Sequence, residues 1–197
     1  MSPRSKKLSE QMKAESRKAI LNASLKLFAK KGYSATTTDE IARKAKVSKG
    51  LIFSHFSSKE DILFSIIDEN VERWLPIAID TDENLSPKEK IISLINSMMN
   101  LLKTEPDLIR LSLRLNLDES YRKIIEKRGK ELMEKFLSRV RNLFKQLGSK
   151  NPDLDCYLFM FLFDGISANY TVAPDLFPIE PIKEHFFKVM FTYLKKK

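Results

Sequence analysis

The sequence predicts an all-α protein of about nine helices, and three observations support that fold class. Glycine and proline are scarce, at 5 and 8 of 197 residues, while Lys, Leu, Ile, Phe and Glu are abundant, which favours helices over a turn-rich β-sandwich. Helix start and stop signals recur along the chain, and no strand-like alternation of apolar and polar residues accompanies them. With 43% hydrophobic and 31% charged residues, the chain has the composition of a folded globular protein.

The first two helices follow from apolar periodicity and capping. Apolar residues recur at a spacing near 3.6 from Ile20 to Phe28, and Gly32 provides a C-terminal cap. Thr37 and Glu40 have the spacing of a capping box, in which the threonine begins a helix and the glutamate returns a hydrogen bond. We therefore expect one helix that ends before Gly32 and a short one that begins after Thr37.

The same signals predict the other helices. Ser48 begins a short helix that ends near His55, and Ser58 begins a fourth helix. The clearest start signal combines a cap at Ser86 with a proline at the first helical position. A short helix then follows Thr104, a long one runs from Tyr121 to Leu147 before Gly148, and the last two begin at Asn151-Pro152 and Glu180-Pro181.

The positive charge is concentrated in the first third of the chain. The formal net charge is +9, and residues 1–60 hold 14 Lys or Arg against 5 Asp or Glu, while the rest of the chain holds 21 of each kind. A basic segment on a neutral body is typical of a nucleic-acid-binding head attached to a body with another task. A solvated basic surface that only maintains solubility is the alternative interpretation.

Residues 38–55 have the layout of a helix-turn-helix. A short helix presents Ile41 to the core, a tight turn follows near Lys46, and a second helix packs through Leu51 and Ile52. The first turn of the second helix, residues 48–50, is small and basic, so its free N–H groups can approach phosphate or base edges closely. Gly50 costs about 1 kcal/mol in a helix relative to Ala, which indicates close approach of DNA or, alternatively, tight packing of another helix.

The segment from Ala19 to Leu63 resembles the DNA-binding domain of the TetR family of transcriptional regulators. The matching residues are Leu27-Phe28, Gly32-Tyr33, the threonine-rich start of the second helix, Ile41-Ala42, Val47-Ser48-Lys49-Gly50, His55-Phe56 and Ser58-Lys59-Glu60. The resemblance implies a three-helix DNA-binding domain followed by helices that form a ligand pocket and a dimer interface. We accordingly expect a flexible basic arm over residues 1–12, the DNA-binding domain over 13–58 and a helical effector-binding and dimerisation domain over 59–197.

Carried over residue by residue, the resemblance implies which residues lie at or near DNA. Phe53 replaces a common tyrosine and lacks the hydroxyl group that would bond a phosphate. Lys46 replaces a common glycine in the turn, where a left-handed backbone costs about 1 kcal/mol or more but the ammonium group can attract phosphate. The candidate DNA-binding residues are Tyr33, Thr37, Thr38, Lys46, Ser48, Lys49, Gly50, Phe53, His55 and Lys59.

The last two helices are candidates for a homodimer interface. The eighth helix is apolar nearly all the way round between Tyr157 and Phe163, so it needs cover on two sides. A four-helix bundle with two helices from each chain supplies that cover and is also what the resemblance implies; burial of both helices in one chain's core is the alternative. The candidate interface residues are Phe161, Gly165, Ala168, Phe187, Met190, Phe191 and Leu194.

The central helices carry candidates for a ligand cavity. Aromatic and flexible apolar side chains suit such a cavity, ordinary core packing explains them equally well, and polar neighbours are candidates to orient a ligand. The candidates are Phe64, Trp74, Met98, Met99, Arg114, Asn116, Phe136, Phe159, Phe163, Asn169 and Tyr170. We expect an effector that is mostly apolar and larger than a sugar.

These features predict a ligand-responsive transcriptional regulator. We expect a homodimeric repressor that an apolar small molecule releases from a near-palindromic double-stranded DNA operator. The alternative is a helix-turn-helix protein whose C-terminal domain binds a protein partner or no effector. We expect no catalytic residues, because the sequence has no nucleophile elbow and no phosphate-binding glycine loop.

The sequence also predicts no metal, no cofactor and no membrane partner. The single cysteine, Cys156, and the two histidines, His55 and His185, are not spaced as zinc ligands. The basic N-terminus is not followed by the apolar stretch of a secretory signal, and the longest apolar stretch is too short to span a bilayer. We therefore expect a cytoplasmic protein.

Overall fold

The computed structural model describes residues 3–79, 84–117 and 119–195, and it confirms the all-α fold and the predicted number of helices. Within those ranges there is no strand, and no helix is both long and apolar enough to cross a membrane. A short 3₁₀ helix, Pro174–Leu176, precedes the last α-helix. The nine α-helices are α1 (Pro3–Lys31), α2 (Thr38–Ala45), α3 (Lys49–His55), α4 (Lys59–Ile79), α5 (Pro87–Thr104), α6 (Pro106–Leu117), α7 (Glu119–Gln146), α8 (Pro152–Val172) and α9 (Ile179–Lys195).

Local capping explains where several helices begin and end. Thr37 and Glu40 form the predicted capping box at the start of α2, and Ser86 and Glu89 form another at the start of α5. Gly32 follows α1 with a φ of 88°, a left-handed conformation that glycine adopts without steric cost. The predicted boundaries of these helices are therefore confirmed by the hydrogen bonds that set them.

The flexible basic arm expected over residues 1–12 remains a prediction. In the structure α1 begins at Pro3, so residues 3–12 are helical and continue into the DNA-binding head. Pro3 suits a first helical position, and the residues that follow are mostly helix formers without an internal glycine or proline. These first turns lie outside the hydrophobic core, and Leu8 is 59% exposed.

The C-terminal half of α1 packs with α2 and α3 around a first hydrophobic core, which we call the head core. Phe28 of α1, Ile41 of α2 and Ile52 of α3 meet there with at most 1% of their surface exposed. Burial of one such side chain stabilises a fold by about 1.5–3 kcal/mol. The head core therefore holds the helix-turn-helix in a fixed geometry.

Two helices join the head core to the rest of the chain. α4 contributes Ile62 and Ile66, and α6 contributes Leu111 and Leu115, while Ile109 of α6 packs into a second core. Packing of the head core thus continues beyond residue 58. The domain boundary expected after that residue remains a prediction.

The second core, which we call the body core, lies among α5, α7, α8 and the start of α9. Ile95, Val140, Phe144 and Phe159 are among its buried residues, and the rings of Phe144 and Phe159 meet edge to face with their centroids 6.0 Å apart. Cys156 is buried in the same core. The body core therefore fixes the inner faces of the helices that would carry a ligand cavity and a dimer interface.

Candidate nucleic-acid interface

The turn between α2 and α3 is closed by a left-handed residue. Lys46 has φ 57° and ψ 41° and is the one residue other than glycine with a positive φ in the described part of the chain. Its N–H donates to the carbonyl of Arg43 at 3.3 Å, and the N–H of Val47 donates to that of Ala42 at 3.0 Å. This pair of hydrogen bonds is a Schellman motif, in which glycine is the usual left-handed residue. Lys46 thus adopts a left-handed backbone conformation, which is more costly for a lysine than for the glycine that is common at this position in the family.

The recognition helix α3 presents an exposed face beside one buried residue. Ile52 is buried in the head core, whereas Leu51 and Phe53 are 37% and 50% exposed. The prediction that Leu51 packs inward with Ile52 is therefore wrong. Successive residues of a helix point about 100° apart, and here Ile52 points into the head core while Leu51 lies at the edge of the outer face.

Gly50 has open space around it. A Cβ atom added there would meet only the Ser48 Oγ, at 3.9 Å. Tight packing against another helix therefore does not explain this glycine within the described residues. The free space lies on the outer side of the recognition helix, where close approach of DNA is the remaining interpretation.

Lys49 at the start of α3 is paired with Asp39 of α2. Its Nζ lies 2.9 Å from Oδ1 of Asp39 and 3.0 Å from Oδ2. More than half of each side chain is exposed, and exposed ion pairs contribute only about 0–1 kcal/mol. A phosphate group can therefore replace Asp39 at little cost.

His55 ties the end of the recognition helix to α1. Its Nε2 lies 2.8 Å from the hydroxyl oxygen of Ser16. The pKa of His55 is lowered, first by burial and then by the positive charges of Lys13 and Arg17. The neutral imidazole therefore positions α3 against α1.

Lys59 holds the loop between α1 and α2. Its ammonium group donates hydrogen bonds to the carbonyl oxygens of Tyr33 and Thr36, both at 2.8 Å, and of Ser34 at 3.4 Å. It also lies 4.4 Å from the centroid of the Tyr33 ring, and burial lowers its pKa. Three N–H groups thus meet three carbonyls, and a direct phosphate contact requires at least one of these bonds to open.

The other predicted DNA contacts lie along the same loop and the start of α2. Tyr33 is half-buried, its ring packs edge to face on Phe28, and its pKa is raised, first by burial and then by Glu60. Thr37 is exposed, and its side chain serves the capping box of α2, with Thr38 half-buried beside it. The structure therefore places these residues next to the loop that Lys59 holds.

Sequence reasoning missed Ser16, Asp39 and the exposure of Leu51. Ser16 contacts a residue 39 positions away, and no local pattern signals such a contact. Asp39 lies ten positions before Lys49, and only the geometry of the turn brings the two together. The exposure of Leu51 depends on how α3 is rotated about its axis against the head core, and the sequence does not mark that rotation.

The candidate dimer residues divide between an exposed and a half-buried group. Phe161 on α8 is 68% exposed, and Gly165 beside it is exposed with no atom within 4 Å of an added Cβ. Ala168 is half-buried, and the side chain of Leu194 lies outside the described residues. Phe187, Met190 and Phe191 of α9 are partly buried and pack against the body core.

Further exposed apolar side chains continue the outer face of α8. They follow the helical spacing of Phe161 and Gly165, and the ring of Tyr157 stacks on that of Phe161 with centroids 6.4 Å apart. We call this surface the α8 face; its exposed apolar side chains are Leu154, Tyr157, Leu158, Phe161 and Leu162.

Six of the eleven candidate ligand residues, Tyr170 among them, lie in or against the body core. Met99 and Phe159 are buried in the body core; Met98, Phe136 and Phe163 pack against it; Phe64 is buried in α4; and Asn116 is exposed at the end of α6. Arg114 donates to the carbonyl of Lys30 at 3.2 Å and so joins α6 to the end of α1. Asn169 and Tyr170 line a groove of about 340 Å³ beside Phe161. The side chain of Trp74 lies outside the described residues.

Comparison with known proteins places this geometry in context. Residues 20–66 match the family model described as "Bacterial regulatory proteins, tetR family". The uncharacterized HTH-type transcriptional regulator YuxN of Bacillus subtilis is 31% identical over 161 residues, which cover 79% of this chain and 54% of YuxN. The chain therefore spans about half the length of that curated relative.

Two further proteins resemble most of the chain. The HTH-type transcriptional repressor Rv1474c of Mycobacterium tuberculosis is 27% identical over 180 residues, covering 86% of this chain and 89% of the repressor. The crystal structure of FadR from Bacillus subtilis in complex with stearoyl-CoA has a similar fold, with a TM-score of 0.74 and 20% identity over 88% of this chain and 96% of that one. With the helix-turn-helix formed by α2 and α3, these findings show that the chain belongs to the TetR family of transcriptional regulators.

Proposed function

We propose that the protein is a homodimeric transcriptional repressor that binds a near-palindromic DNA operator and is released by a mostly apolar small molecule. The observation that carries the DNA-binding part is the exposed outer face of α3 within a segment of net charge +9. Phosphate contacts from such a segment provide affinity, and the recognition helix provides sequence preference. The candidate contacts from Tyr33 to Lys59 belong to this proposal.

The homodimer is supported by the α8 face. A monomer would leave this row of leucine and aromatic side chains in water, whereas a second copy related by a two-fold axis would cover it with the same surface. Gly165 leaves room for close approach of the two helices. Two recognition helices related by that axis would match a near-palindrome with half-sites about 34–36 Å apart.

The response to an effector is supported by the way α4 and α6 join the two cores. α6 places Ile109 in the body core and Leu111 and Leu115 in the head core, so a ligand that shifts α6 also shifts α1. The hydrogen bond from Arg114 to Lys30 reinforces that link. In this proposal two helices carry the response from the body core to the head core. One is α4, which follows the recognition helix directly in the chain, and the other is α6.

The ligand itself is expected among α4 to α8. Stearoyl-CoA, which the similar fold of Bacillus subtilis FadR binds, is a suitable first probe because its stearoyl chain is long and apolar. In this proposal the protein acts in the cytoplasm on double-stranded DNA, without catalysis, without a cofactor and without a membrane partner. The second candidate is a repressor whose body binds a protein or no effector.

A DNA-binding assay with the DNA upstream of the protein's own gene tests the proposal. We expect the fragment to bind two chains and stearoyl-CoA to weaken binding by about 5-fold to 150-fold, the range of typical allosteric coupling. By reciprocity, the operator must weaken stearoyl-CoA binding by the same factor, which titration calorimetry measures. If stearoyl-CoA binds with equal affinity in the presence and absence of the operator, it is not the effector, and the second candidate gains support.

A further inference from the structure

The outer face of α3 combines a narrow centre with two apolar edges. Gly50 and Ser54 are four residues apart and lie at the centre of the face, opposite Ile52. Leu51 and Phe53 lie on either side of that centre and are 37% and 50% exposed. Because Gly50 has open space around it, the helix axis can approach a surface closely enough for both apolar side chains to touch it.

The polar side chains of α3 and its cap are largely engaged within the protein. The Ser54 hydroxyl donates to the carbonyl of Leu51 at 2.8 Å, and the Ser48 oxygen accepts from the N–H of Leu51 at 3.1 Å. The ammonium group of Lys49 is shared between the two carboxylate oxygens of Asp39. The edges of this face therefore offer apolar contact, and its centre offers few free hydrogen-bond donors.

Among base edges in the major groove, one chemical group matches an apolar contact. Thymine carries a C5-methyl group there, while guanine, adenine and cytosine present hydrogen-bonding atoms at the groove floor. The net charge of +9 on the surrounding residues 1–60 makes a polyanion the complementary occupant of this face. An exposed leucine and phenylalanine within such a basic surface suit a base step that presents methyl groups.

We propose that Leu51 and Phe53 read thymine methyl groups and thereby set the sequence preference of the recognition helix. This inference rests on the proposed DNA-binding function. The sequence preference would then depend on two side chains that offer no hydrogen bonds. One of them, Leu51, was predicted to pack in the core. The half-site should therefore contain thymines at the positions that face these residues.

The experiment begins with selection of bound duplexes from a random DNA pool by the full-length chain. In the selected duplex, thymidine is then replaced by deoxyuridine one position at a time, which removes only the methyl group, and Kd is measured by fluorescence anisotropy. Loss of one buried methyl-sized contact corresponds to about a fourfold rise in Kd. We expect that rise at one or two thymines of each half-site and no change at the others.

Single variants connect each methyl group to a side chain. Leu51→Ala and Phe53→Ala should each remove the thymine-over-deoxyuridine preference at one position while leaving the helical circular-dichroism signal unchanged, because both side chains are exposed. Leu176→Ala is the matched control, since Leu176 is 78% exposed and lies between α8 and α9, far along the chain from the head.

Two results would overturn the inference, and they are distinguishable. Selection of a half-site whose deoxyuridine derivatives all bind within 1.5-fold of the parent would exclude methyl recognition and leave DNA binding intact. Failure to enrich any duplex would overturn both this inference and the proposed function.

Discussion

Replacement of Lys59 by methionine distinguishes a loop-holding role from a phosphate contact. Methionine keeps most of the aliphatic stem and removes the ammonium group that binds the carbonyls of Tyr33 and Thr36 at 2.8 Å. Each of these two half-buried hydrogen bonds contributes about 1 kcal/mol after allowance for water, and the third, longer bond to Ser34 is exposed and contributes little. We therefore expect Lys59→Met to lower the free energy of unfolding by about 2 kcal/mol.

Urea unfolding followed by circular dichroism measures this change. A loss of 2 kcal/mol corresponds to a fall of about 4–8 °C in Tm for a chain of this size. Wild type and variant must be compared at equal protein concentration, because the proposed dimer would make stability concentration-dependent. Lys26→Met is the matched control, since Lys26 is exposed in the C-terminal half of α1, and the unfolding free energy of this variant should stay within about 0.5 kcal/mol of wild type.

The salt dependence of DNA binding tests whether Lys59 contacts phosphate. A lysine that contacts phosphate contributes about one unit to the slope of log Kd against log salt. If Lys59→Met retained the wild-type stability and flattened the slope by one unit, Lys59 would be a phosphate contact, and the three carbonyl bonds would have no energetic importance. The bonds to Tyr33 and Thr36 predict a loss of stability, and a slope flattened by one unit beside that loss would show that Lys59 also contacts phosphate.

Three other perturbations probe the turn, the α1 contact and the dimer. Lys46→Gly should raise the free energy of unfolding by about 1 kcal/mol, because glycine tolerates φ 57°, and should weaken DNA binding if the lysine attracts phosphate; unchanged stability in urea would contradict this. The free energy of unfolding of the wild type should fall as the pH drops below 6.5, because the histidine of the unfolded chain takes up a proton that His55 in the fold resists. In His55→Gln the free energy of unfolding, measured over the same pH range, should fall less. Gly165→Leu should convert a dimer into a monomer in light scattering; an intact dimer would exclude close helix approach there.

The local elements of this fold were predictable because their signals are local. The Thr37–Glu40 capping box and the glycine at position 32 each set a helix end through residues no more than four positions apart. The buried Ile41 followed from helical periodicity in the same way.

The contacts that organise the DNA-binding head were beyond sequence reasoning because they are non-local. Lys59 reaches carbonyls 23 to 26 positions earlier, and His55 pairs with Ser16 across 39 positions. Arg114 reaches the end of α1 from 84 positions away, so a side chain predicted for a ligand site joins two helices. Each of these partners is a backbone carbonyl or a hydroxyl group, and such partners carry no signature in the sequence.

The measurement that tests the central claim most directly is a specificity ratio. The full-length chain is titrated by fluorescence anisotropy against the DNA upstream of its gene and against a scrambled duplex of the same composition, at salt concentrations from about 50 to 200 mM. A TetR-family regulator that reads DNA through α3 should prefer the upstream sequence by at least about 10³-fold, and both affinities should fall steeply with salt. Equal affinities for the two duplexes at every salt concentration would show that the head attracts DNA only through its charge, and would contradict the account.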